Sequence, residues 1–324
     1  MVMTVQQHLT WRSAVIDADA ETAYRLVENV AVWPALFGPT VYVRPLACSA
    51  TWERFRIWAS VNGEIVSWTS LRTLDLKRRC INFAQEQPRA PLASIGGRWE
   101  FRPTRHGGTE VALHHYFRTV DDSPESVEWV RRALERNSSD QLAELCAVAD
   151  GGQPIPDVLF TLRHRVTARG SVADAYDFVN QADRWPARLP HVMRVRLAEQ
   201  QPRVQELQMV TRLPGGGAHE TKSIRVCLAN ELIAFKQSVL PAPLMGHSGL
   251  WSFGPDGDDV VIESRHTVLL DRNRVRDALG SAATLADARV FTQDALKYNS
   301  RVTLLHAKEF AERARCRPAS EDAR

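Results

Sequence analysis

Polar and apolar residues follow two different periods along this chain, and the switch between them predicts its elements. Residues 8 to 16 alternate with a period of two, which is typical of a half-buried strand. Asp19 can cap a helix that follows, with its apolar residues on one face. We expect that helix to end near Trp33-Pro34, because proline disfavours a helical residue before it.

The region between Val41 and Val120 consists of strand-length segments separated by polar turn signals. These signals lie at three places: Asn62-Gly63, residues 75 to 79, and His106-Gly107-Gly108. Short strands joined by such turns predict an antiparallel meander. Residues 125 to 148 then carry apolar side chains at helical spacing, which predicts one long helix after the sheet.

The same order of elements returns about 150 residues later, together with its most distinctive residues. Residues 21 to 37 return as residues 173 to 189, with A-Y-x-x-V and W-P in the same places. Two further motifs recur in the same order: Ser70-x-Arg72 as Ser223-x-Arg225, and Gly97-x-Trp99-x-Phe101 as Gly249-x-Trp251-x-Phe253. Matches that keep one order indicate that one domain is used twice.

The repeat predicts two domains of the α+β class, residues 1 to 150 and residues 159 to 314. Each should contain a strand, a short helix, a curved antiparallel sheet and a long C-terminal helix. Residues 151 to 158, which are rich in glycine and proline, are predicted to link them. Residues 315 to 324 form a polar tail.

Two strands carry polar residues on a face that an ordinary core would fill with aliphatic side chains. The period-two rule groups them as Trp68, Ser70 and Arg72 in the first domain and His219, Thr221, Ser223 and Arg225 in the second. If these faces point inward, each domain holds an arginine that needs partners. The alternative is that both faces belong to exposed edge strands, but recurrence of Ser-x-Arg favours the inward reading.

Polar residues also interrupt the predicted inner faces of the long helices and of one strand per domain. The helices carry the same dipeptide midway, Asn137-Ser138 and Asn299-Ser300. This pattern indicates a polar spot that faces a ligand, or else a solvated kink or a helix contact. One histidine per domain, His115 and His266, shares its strand face with apolar residues, so it is either a hydrogen-bonded core residue or a catalyst.

Aromatic residues complete the predicted inner faces. They are Trp33, Phe37, Trp68, Phe83 and Trp99 in the first domain and Trp185, Phe235 and Trp251 in the second. Most aromatic residues simply fill a core, but a set of them also presents flat walls to a flat ligand. A curled sheet with such a face against a long helix predicts a ligand-binding cavity in each domain.

Composition narrows the classes of function. The 324 residues include 41 basic and 38 acidic side chains, and this net charge of +3 is not the basic field of a nucleic-acid-binding protein. No apolar run is long enough to span a bilayer and no targeting segment is visible, so we expect no membrane contact and a cytoplasmic location. The five cysteines lack any C-x-x-C pair, which favours reduced thiols over disulfides or a zinc site.

Motifs for cofactors and metals are missing from the sequence. Residues Gly215-Gly216-Gly217 lack the Lys-Ser/Thr of a phosphate-binding loop. The acidic run at residues 256 to 259 reads as a hairpin turn, because the glutamate of a calcium loop does not follow it. We therefore expect neither a cofactor nor a metal ion.

Taken together, these motifs resemble those of a known family over residues 8 to 313. Tandem copies with A-Y-x-x-V, W-P, S-x-R and G-x-W-x-F, each ending in a helix with Asn-Ser, are similar to the di-domain aromatase/cyclases of bacterial type II polyketide synthases. The resemblance implies START-like (Bet v 1-like) helix-grip domains. In one respect the two copies differ: Trp68 precedes the serine in the first domain and Thr221 in the second, so the two cavities are not shaped alike.

The resemblance also implies an activity and its partners. Such enzymes fold a poly-β-ketone borne by an acyl carrier protein, close its first ring by aldol addition and dehydrate it to an aromatic ring, in antibiotic biosynthesis. Members like this one act after a ketoreductase and join the seventh and twelfth carbons, alongside other synthase components. The family's proposed catalytic pair maps onto Arg72 with Ser70 and onto Arg225 with Ser223, and His115 or His266 is a candidate general base.

Two other functions stay open from the sequence. A START-like fold often carries a hydrophobic ligand without reacting with it, so the protein could be a carrier. It could also be a docking module for the carrier protein, with its function on surface arginines such as Arg131, Arg132 or Arg184. A carrier would not require an arginine at the same depth of both domains.

Overall fold

The computed structural model describes residues 6–149, 153–212 and 216–316. The chain divides into two compact units, Met1–Ile155 and Pro156–Arg324, called the first and the second unit below. Both units are α+β, as predicted, and each contains one antiparallel sheet of seven strands followed by a long helix.

The sheet of the first unit has the strand order β1-β7-β6-β5-β4-β3-β2. Consecutive strands β2 to β7 are neighbours, which is the predicted meander, and β7 closes back onto β1. The strands are β1 His8–Ile16, β2 Thr40–Cys48, β3 Trp52–Val61, β4 Glu64–Asp75, β5 Cys80–Glu86, β6 Leu92–Pro103 and β7 Thr109–Thr119. The helices are α1 Ala20–Glu28, α2 Trp33–Leu36 and α3 Pro124–Ala149.

The sheet of the second unit repeats this topology, with the order β8-β14-β13-β12-β11-β10-β9. Its strands are β8 Leu159–Arg169, β9 Val192–Gln201, β10 Val204–Arg212, β11 Ala218–Leu228, β12 Leu232–Val239, β13 Leu244–Asp256 and β14 Asp259–Leu270. The helices are α4 Ile155–Val158, α5 Val172–Asn180, α6 Trp185–Arg188, α7 Val275–Leu279 and α8 Leu285–Arg315, with 3-10 turns at Ala182–Arg184 and Arg272–Arg274.

Helix α1 begins where the sequence predicts and ends earlier. The Asp19 side chain accepts hydrogen bonds from the backbone N–H groups of Glu21 and Thr22, which satisfies two donors of the first turn. The helix ends at Glu28, and Trp33-Pro34 opens the separate one-turn helix α2. The expected end near Trp33 was therefore wrong, because proline is well suited to the first turn of a new helix.

The recurring motifs contact each other inside each unit. Tyr24 of A-Y-x-x-V packs edge-on against Phe101 of G-x-W-x-F, with ring centroids 5.6 Å apart. Tyr176 and Phe253 repeat the contact at 5.6 Å in the second unit. The two motifs recur together because they form one helix-to-sheet contact in each core.

Some predictions concern residues at the edges of the described chain. Residues 150 to 152 of the predicted linker region, Gly215, and residues 317 to 324 of the predicted tail lie outside the described residues. The end of the predicted linker forms the one-turn helix α4, and Arg315 still belongs to α8. None of the described helices is both long enough and apolar enough to cross a membrane.

Candidate active sites

Strands β4 and β11 turn their Ser-x-Arg motifs inward. Both lie inside their sheets, with β3 and β5 on either side of β4 and β10 and β12 on either side of β11. Ser70 and Arg72 are buried while Leu71 between them is exposed. Ser223 and Arg225 are buried as well. The inward interpretation is thus confirmed, and the alternative of exposed edge strands is excluded.

Arg72 is held by the C-terminal end of helix α1 and by a carboxylate. Its Nη1 donates to the carbonyl oxygen of Val27 at 2.8 Å, and its Nη2 donates to that of Glu28. Its Nε donates to Glu53, which pairs with Arg72 across β3 and β4. The guanidinium also lies over the Trp33 ring at 5.2 Å. Burial lowers the pKa of Arg72, and the nearby Glu53 carboxylate opposes that shift.

Arg225 occupies the same position without the carboxylate. It donates to the carbonyl oxygens of Val179 at 2.7 Å and Asn180 at 3.4 Å, at the end of α5. The residue paired with it on β10 is Gln205, where the first unit has Glu53. Among the described residues no carboxylate forms an ion pair with Arg225, and burial lowers its pKa. The second unit therefore contains a buried cation that no carboxylate of its described residues neutralises through an ion pair.

A row of residues crosses four neighbouring strands from each arginine. In the first unit Arg72 pairs with Phe83, Phe83 with Gly97, and Gly97 with His115. The second unit repeats the row as Arg225, Phe235, Gly249 and His266. The arginine and histidine of a row are separated by three strand spacings, about 14 Å along the sheet.

The glycine in each row is required by the phenylalanine. A Cβ atom at Gly97 would collide with the Phe83 ring and the backbone oxygen of His114. A Cβ atom at Gly249 would collide with the Phe235 ring and, at 2.6 Å, with the backbone oxygen of Arg265. The aromatic ring therefore lies directly over the glycine, between the arginine and the histidine.

In the first unit His115 contacts one residue of the sheet and one residue of the long helix. The Phe83 ring meets it edge-on at 5.5 Å, and the Ser138 hydroxyl of α3 lies 3.3 Å from its Nδ1. Ser138 also donates to the carbonyl oxygen of Leu134 at 2.7 Å. Burial, with a smaller effect from His114, lowers the pKa of His115 to about 4. His115 is therefore neutral near pH 7 and can accept a proton.

In the second unit the histidine belongs to a longer network. His266 Nε2 lies 2.9 Å from the Ser300 hydroxyl of α8 and 3.1 Å from the Ser264 hydroxyl. Its Nδ1 lies 2.9 Å from Nε2 of His247, whose Nδ1 lies 2.9 Å from Oε1 of Gln237. Burial lowers the pKa of His247 to about 4 and that of His266 well below its ordinary value, so both are neutral near pH 7.

Comparison with known proteins shows relatives that match almost the whole chain. It is 42% identical over 308 residues to the granaticin polyketide synthase bifunctional cyclase/dehydratase of Streptomyces violaceoruber, covering 95% of each chain. It is 42% identical over 311 residues to the actinorhodin polyketide synthase bifunctional cyclase/dehydratase of Streptomyces coelicolor, covering 93% of this chain and 96% of the relative. This chain belongs to the di-domain aromatase/cyclase family.

Solved structures and a family model agree with the assignment of this chain to the aromatase/cyclase family. The di-domain ARO/CYC BexL from the BE-7585A biosynthetic pathway is 39% identical, with a TM-score of 0.84 and coverage of 96% of this chain and 100% of BexL. StfQ, from the steffimycin biosynthetic pathway, is 29% identical with a TM-score of 0.80, covering 94% and 99%. Residues 16–144 match the family described as "Polyketide cyclase / dehydrase and lipid transport".

The family recognised from the sequence is thereby confirmed, together with the helix-grip fold. The aromatase/cyclase is an enzyme of the polyketide cyclase and dehydratase class, since its named relatives are bifunctional cyclase/dehydratases of polyketide synthases. Among the described residues no group of three or more histidine, cysteine, aspartate or glutamate side chains could hold a metal ion.

The predicted aromatic residues divide between the rows and the core. Phe83 and Phe235 are partly buried and contact the histidines of their rows. The others pack into hydrophobic contacts: Trp33 with Phe37 and Phe55, Trp68 in the same cluster as Phe55, Trp99 on Phe101, and Trp185 and Trp251 in the main cluster of the second unit. Thr221 is buried, and His219 is partly buried at the same strand face.

Of the predicted Asn-Ser pairs, only the serines contact the histidines. Ser138 and Ser300 are buried, whereas Asn137 is exposed and Asn299 is partly buried. Neighbouring residues on a helix point about 100° apart. The serine of each pair therefore faces the sheet, and the asparagine points away from the serine's direction. The polar spot predicted on each long helix is thus formed on its inner side by the serine.

Sequence reasoning missed His247. The residue shares its strand face with Gly249 and Trp251, two and four positions further along β13, and Trp251 had already been assigned to the inner face. Counting back from Trp251 would have placed His247 inside as well. Its importance was hidden because the corresponding residue of the first unit is Ile95, so no repeated motif includes it.

Proposed function

We propose that this protein closes the first ring of a ketoreduced poly-β-ketone held on an acyl carrier protein and dehydrates it to an aromatic ring, joining the seventh and twelfth carbons. The observation that carries the proposal is the row of arginine, phenylalanine, glycine and histidine that crosses the inner face of both sheets. The names of the relatives support the reaction class.

The arginines would stabilise the negative charge that develops on oxygen. Arginine stays protonated in proteins even where burial lowers its pKa, as at Arg72 and Arg225. Their bonds to the ends of α1 and α5 hold each guanidinium rigidly, so little reorganisation is needed when an enolate forms. Such preorganised, charge-assisted contacts are worth several kcal/mol in a site that excludes water.

The histidines would accept and return protons. A methylene between two carbonyl groups loses a proton to neutral His115 or His266, or to a water or serine hydroxyl (Ser70 or Ser223) that passes it on. The resulting enolate carbon forms the new bond to a carbonyl carbon, and that carbonyl oxygen takes a proton. Loss of water from the aldol then gives the unsaturated ring. The rings of Phe83 and Phe235 would hold the chain flat beside the arginine and histidine of their rows.

The substrate requires a partner that delivers it. A poly-β-ketone would cyclise without control if it were free in solution, so the chain should arrive attached to its carrier protein from the other components of a type II synthase. We place this reaction in the cytoplasm because none of the five cysteines, all of which lie among the described residues, forms a disulfide, which fits a reducing compartment.

The test is the product profile of a reconstituted minimal type II polyketide synthase with its ketoreductase, run without this protein, with it, and with each arginine variant. We expect the wild-type protein to shift products from shunt compounds to the aromatised first ring. Arg72→Ala and Arg225→Ala should lower the yield of that ring while the variants remain folded by circular dichroism. Unchanged products from both variants would refute this mechanism.

The same experiment separates the enzyme from a hydrophobic-ligand carrier. If the wild-type protein leaves the products unchanged, and native mass spectrometry of the purified protein detects a retained apolar molecule, the carrier function replaces the cyclase. If the products change and no ligand is retained, the carrier function is excluded.

A further inference from the structure

The inner faces of the two units differ at four equivalent positions. The first unit has a carboxylate and three apolar side chains, whereas the second has four neutral polar ones. The pairs are Glu53 and Gln205, Trp68 and Thr221, Ile95 and His247, and Leu113 and Ser264. All four residues of the second unit are buried in its described part. The same fold thus encloses two chemically different sites.

The hydrogen bonds of the second site run in one direction. Oε1 of Gln237 can only accept, so Nδ1 of His247 carries a proton. Nε2 of His247 is then the acceptor for the Nδ1–H of His266. That leaves Nε2 of His266 to accept from the Ser300 or Ser264 hydroxyl. Two imidazoles and a hydroxyl therefore form a continuous path for a proton.

The fold does not need the second histidine. Ile95 fills the equivalent position of β6 in the first unit, where it packs against Phe117 and its neighbours. A buried polar group is unfavourable unless all its hydrogen bonds are made, and an apolar residue of similar size is often at least as stable. His247 is 4% exposed and uses both ring nitrogens. This arrangement calls for a role other than packing.

The two sites also differ in the charge that surrounds their buried arginines. Glu53 neutralises Arg72 in the first unit, whereas Arg225 faces the neutral Gln205. An enolate oxygen formed near Arg225 would meet a full positive charge in a dry environment. The second unit thus differs from the first in its buried charge as well as in its proton path.

We propose that the inner face of the second unit carries out the dehydration, and that His247 is a positioning residue that acts through His266. The inference rests on the function proposed above. In this step the C–H bond next to the ring carbonyl breaks, and its proton passes through the Ser300 hydroxyl to Nε2 of His266. The electron pair forms the new C=C bond, and the C–O bond of the β-hydroxyl breaks. The departing oxygen takes the proton back from His266 and leaves as water, so no oxidant or reductant is consumed.

His247 would make this transfer easier by accepting the Nδ1–H of His266. The acceptor fixes the tautomer and ring orientation of His266 and stabilises the imidazolium that forms for a moment, as an orienting partner does in catalytic triads. Ile95 offers no such acceptor to the first unit, where the only close hydroxyl on His115 among the described residues is Ser138.

The test replaces His247 by the residue of the first unit, His247→Ile, in the reconstituted synthase with its ketoreductase. We expect ring closure to continue while the dehydrated product falls about 10- to 100-fold and its undehydrated, hydroxylated precursor accumulates. His247→Gln should recover most of the lost dehydration, because its amide oxygen can accept the Nδ1–H of His266. The matched control is His114→Ile, the same exchange on the opposite face of β7, which should give wild-type products.

A spectroscopic measurement checks the arrangement independently of activity. Nitrogen-15 NMR of the histidine-labelled protein should find the His266 proton on Nδ1 in the wild type and in His247→Gln. His266 protonated on Nε2 instead would overturn the proton path.

The outcomes separate this inference from the proposed function. Wild-type products from His247→Ile would overturn the inference while leaving the cyclase intact. Equal losses of closure and dehydration, or a His247→Gln variant as poor as His247→Ile, would overturn it too. If the wild-type protein itself does not change the products, the proposed function fails first, and the inference fails with it. His247→Ile leaves Nδ1 of His266 and Oε1 of Gln237 without this partner, so it should melt below wild type. Circular dichroism and a cooperative thermal transition above the assay temperature should show that the variant is folded, which distinguishes all these results from unfolding.

Discussion

Truncation of the two arginines should affect stability unequally, although they occupy equivalent positions. Arg72→Ala removes the bonds to the Val27 and Glu28 carbonyl oxygens and leaves the Glu53 carboxylate, whose side chain is 20% exposed, without its partner. Removing one member of a buried ion pair costs about 3–5 kcal/mol of unfolding free energy. We expect a loss in the lower part of that range because Glu53 retains some solvent.

Arg225→Ala should cost less. It removes bonds to the Val179 and Asn180 carbonyl oxygens, worth about 1–2 kcal/mol together, but leaves no carboxylate unpaired because Gln205 is neutral. It also removes a cation whose burial is itself unfavourable. The loss of packing of the aliphatic stem is similar in both variants, so the two should differ by roughly 2 kcal/mol.

Urea denaturation measures the difference. Trp33 and Trp185 lie next to the two guanidinium groups, so fluorescence reports on each unit, and circular dichroism follows the helices and sheets. Arg54→Ala is the control, because Arg54 forms a solvent-exposed pair with Glu86 that should contribute little to the free energy of unfolding. If Arg225→Ala costs as much as Arg72→Ala, the reasoning about the unneutralised charge is refuted.

Two further predictions concern stability. Burial lowers the pKa of His115 from 6.5 to about 4. Between these two pH values the histidine takes up a proton in the unfolded chain but not in the folded one. The contribution of His115 to stability is therefore complete above pH 6.5 and is lost as the pH falls towards 4. This one histidine should lower the free energy of unfolding by about 2 kcal/mol between pH 7 and pH 5. Urea titration at the two pH values measures the change. A His115→Gln variant with the same pH dependence as wild type would contradict the assignment. Gly249→Ala should lower the free energy of unfolding by about 1–3 kcal/mol, because the new Cβ atom meets the Phe235 ring. Gly254→Ala on the same strand is the control, because its Cβ atom meets no atom within 4 Å and the change should be nearly neutral. Equal melting temperatures for the two variants would count against the close contact.

The sequence was sufficient for the features that depend on local periodicity. The duplication, the antiparallel meanders and the long helices follow from turn signals and from the periods of two and 3.6. The same rule grouped Ser70 with Arg72 and Ser223 with Arg225, because alternation along one strand determines which side chains share a face, and the recurrence of the motif favoured the inward side that the structure shows. Where helix α1 ends was less certain, since Trp33-Pro34 can terminate one helix or begin another.

Only the tertiary structure could decide how the buried groups are partnered. Glu53 and Gln205 become the neighbours of the arginines through strand register, and His247 meets His266 only when β13 pairs with β14. The helix carbonyl oxygens that hold the guanidinium groups lie about 45 residues away in the chain. Charge neutralisation and proton paths depend on such distant contacts, so one repeated motif could form two sites of different chemistry.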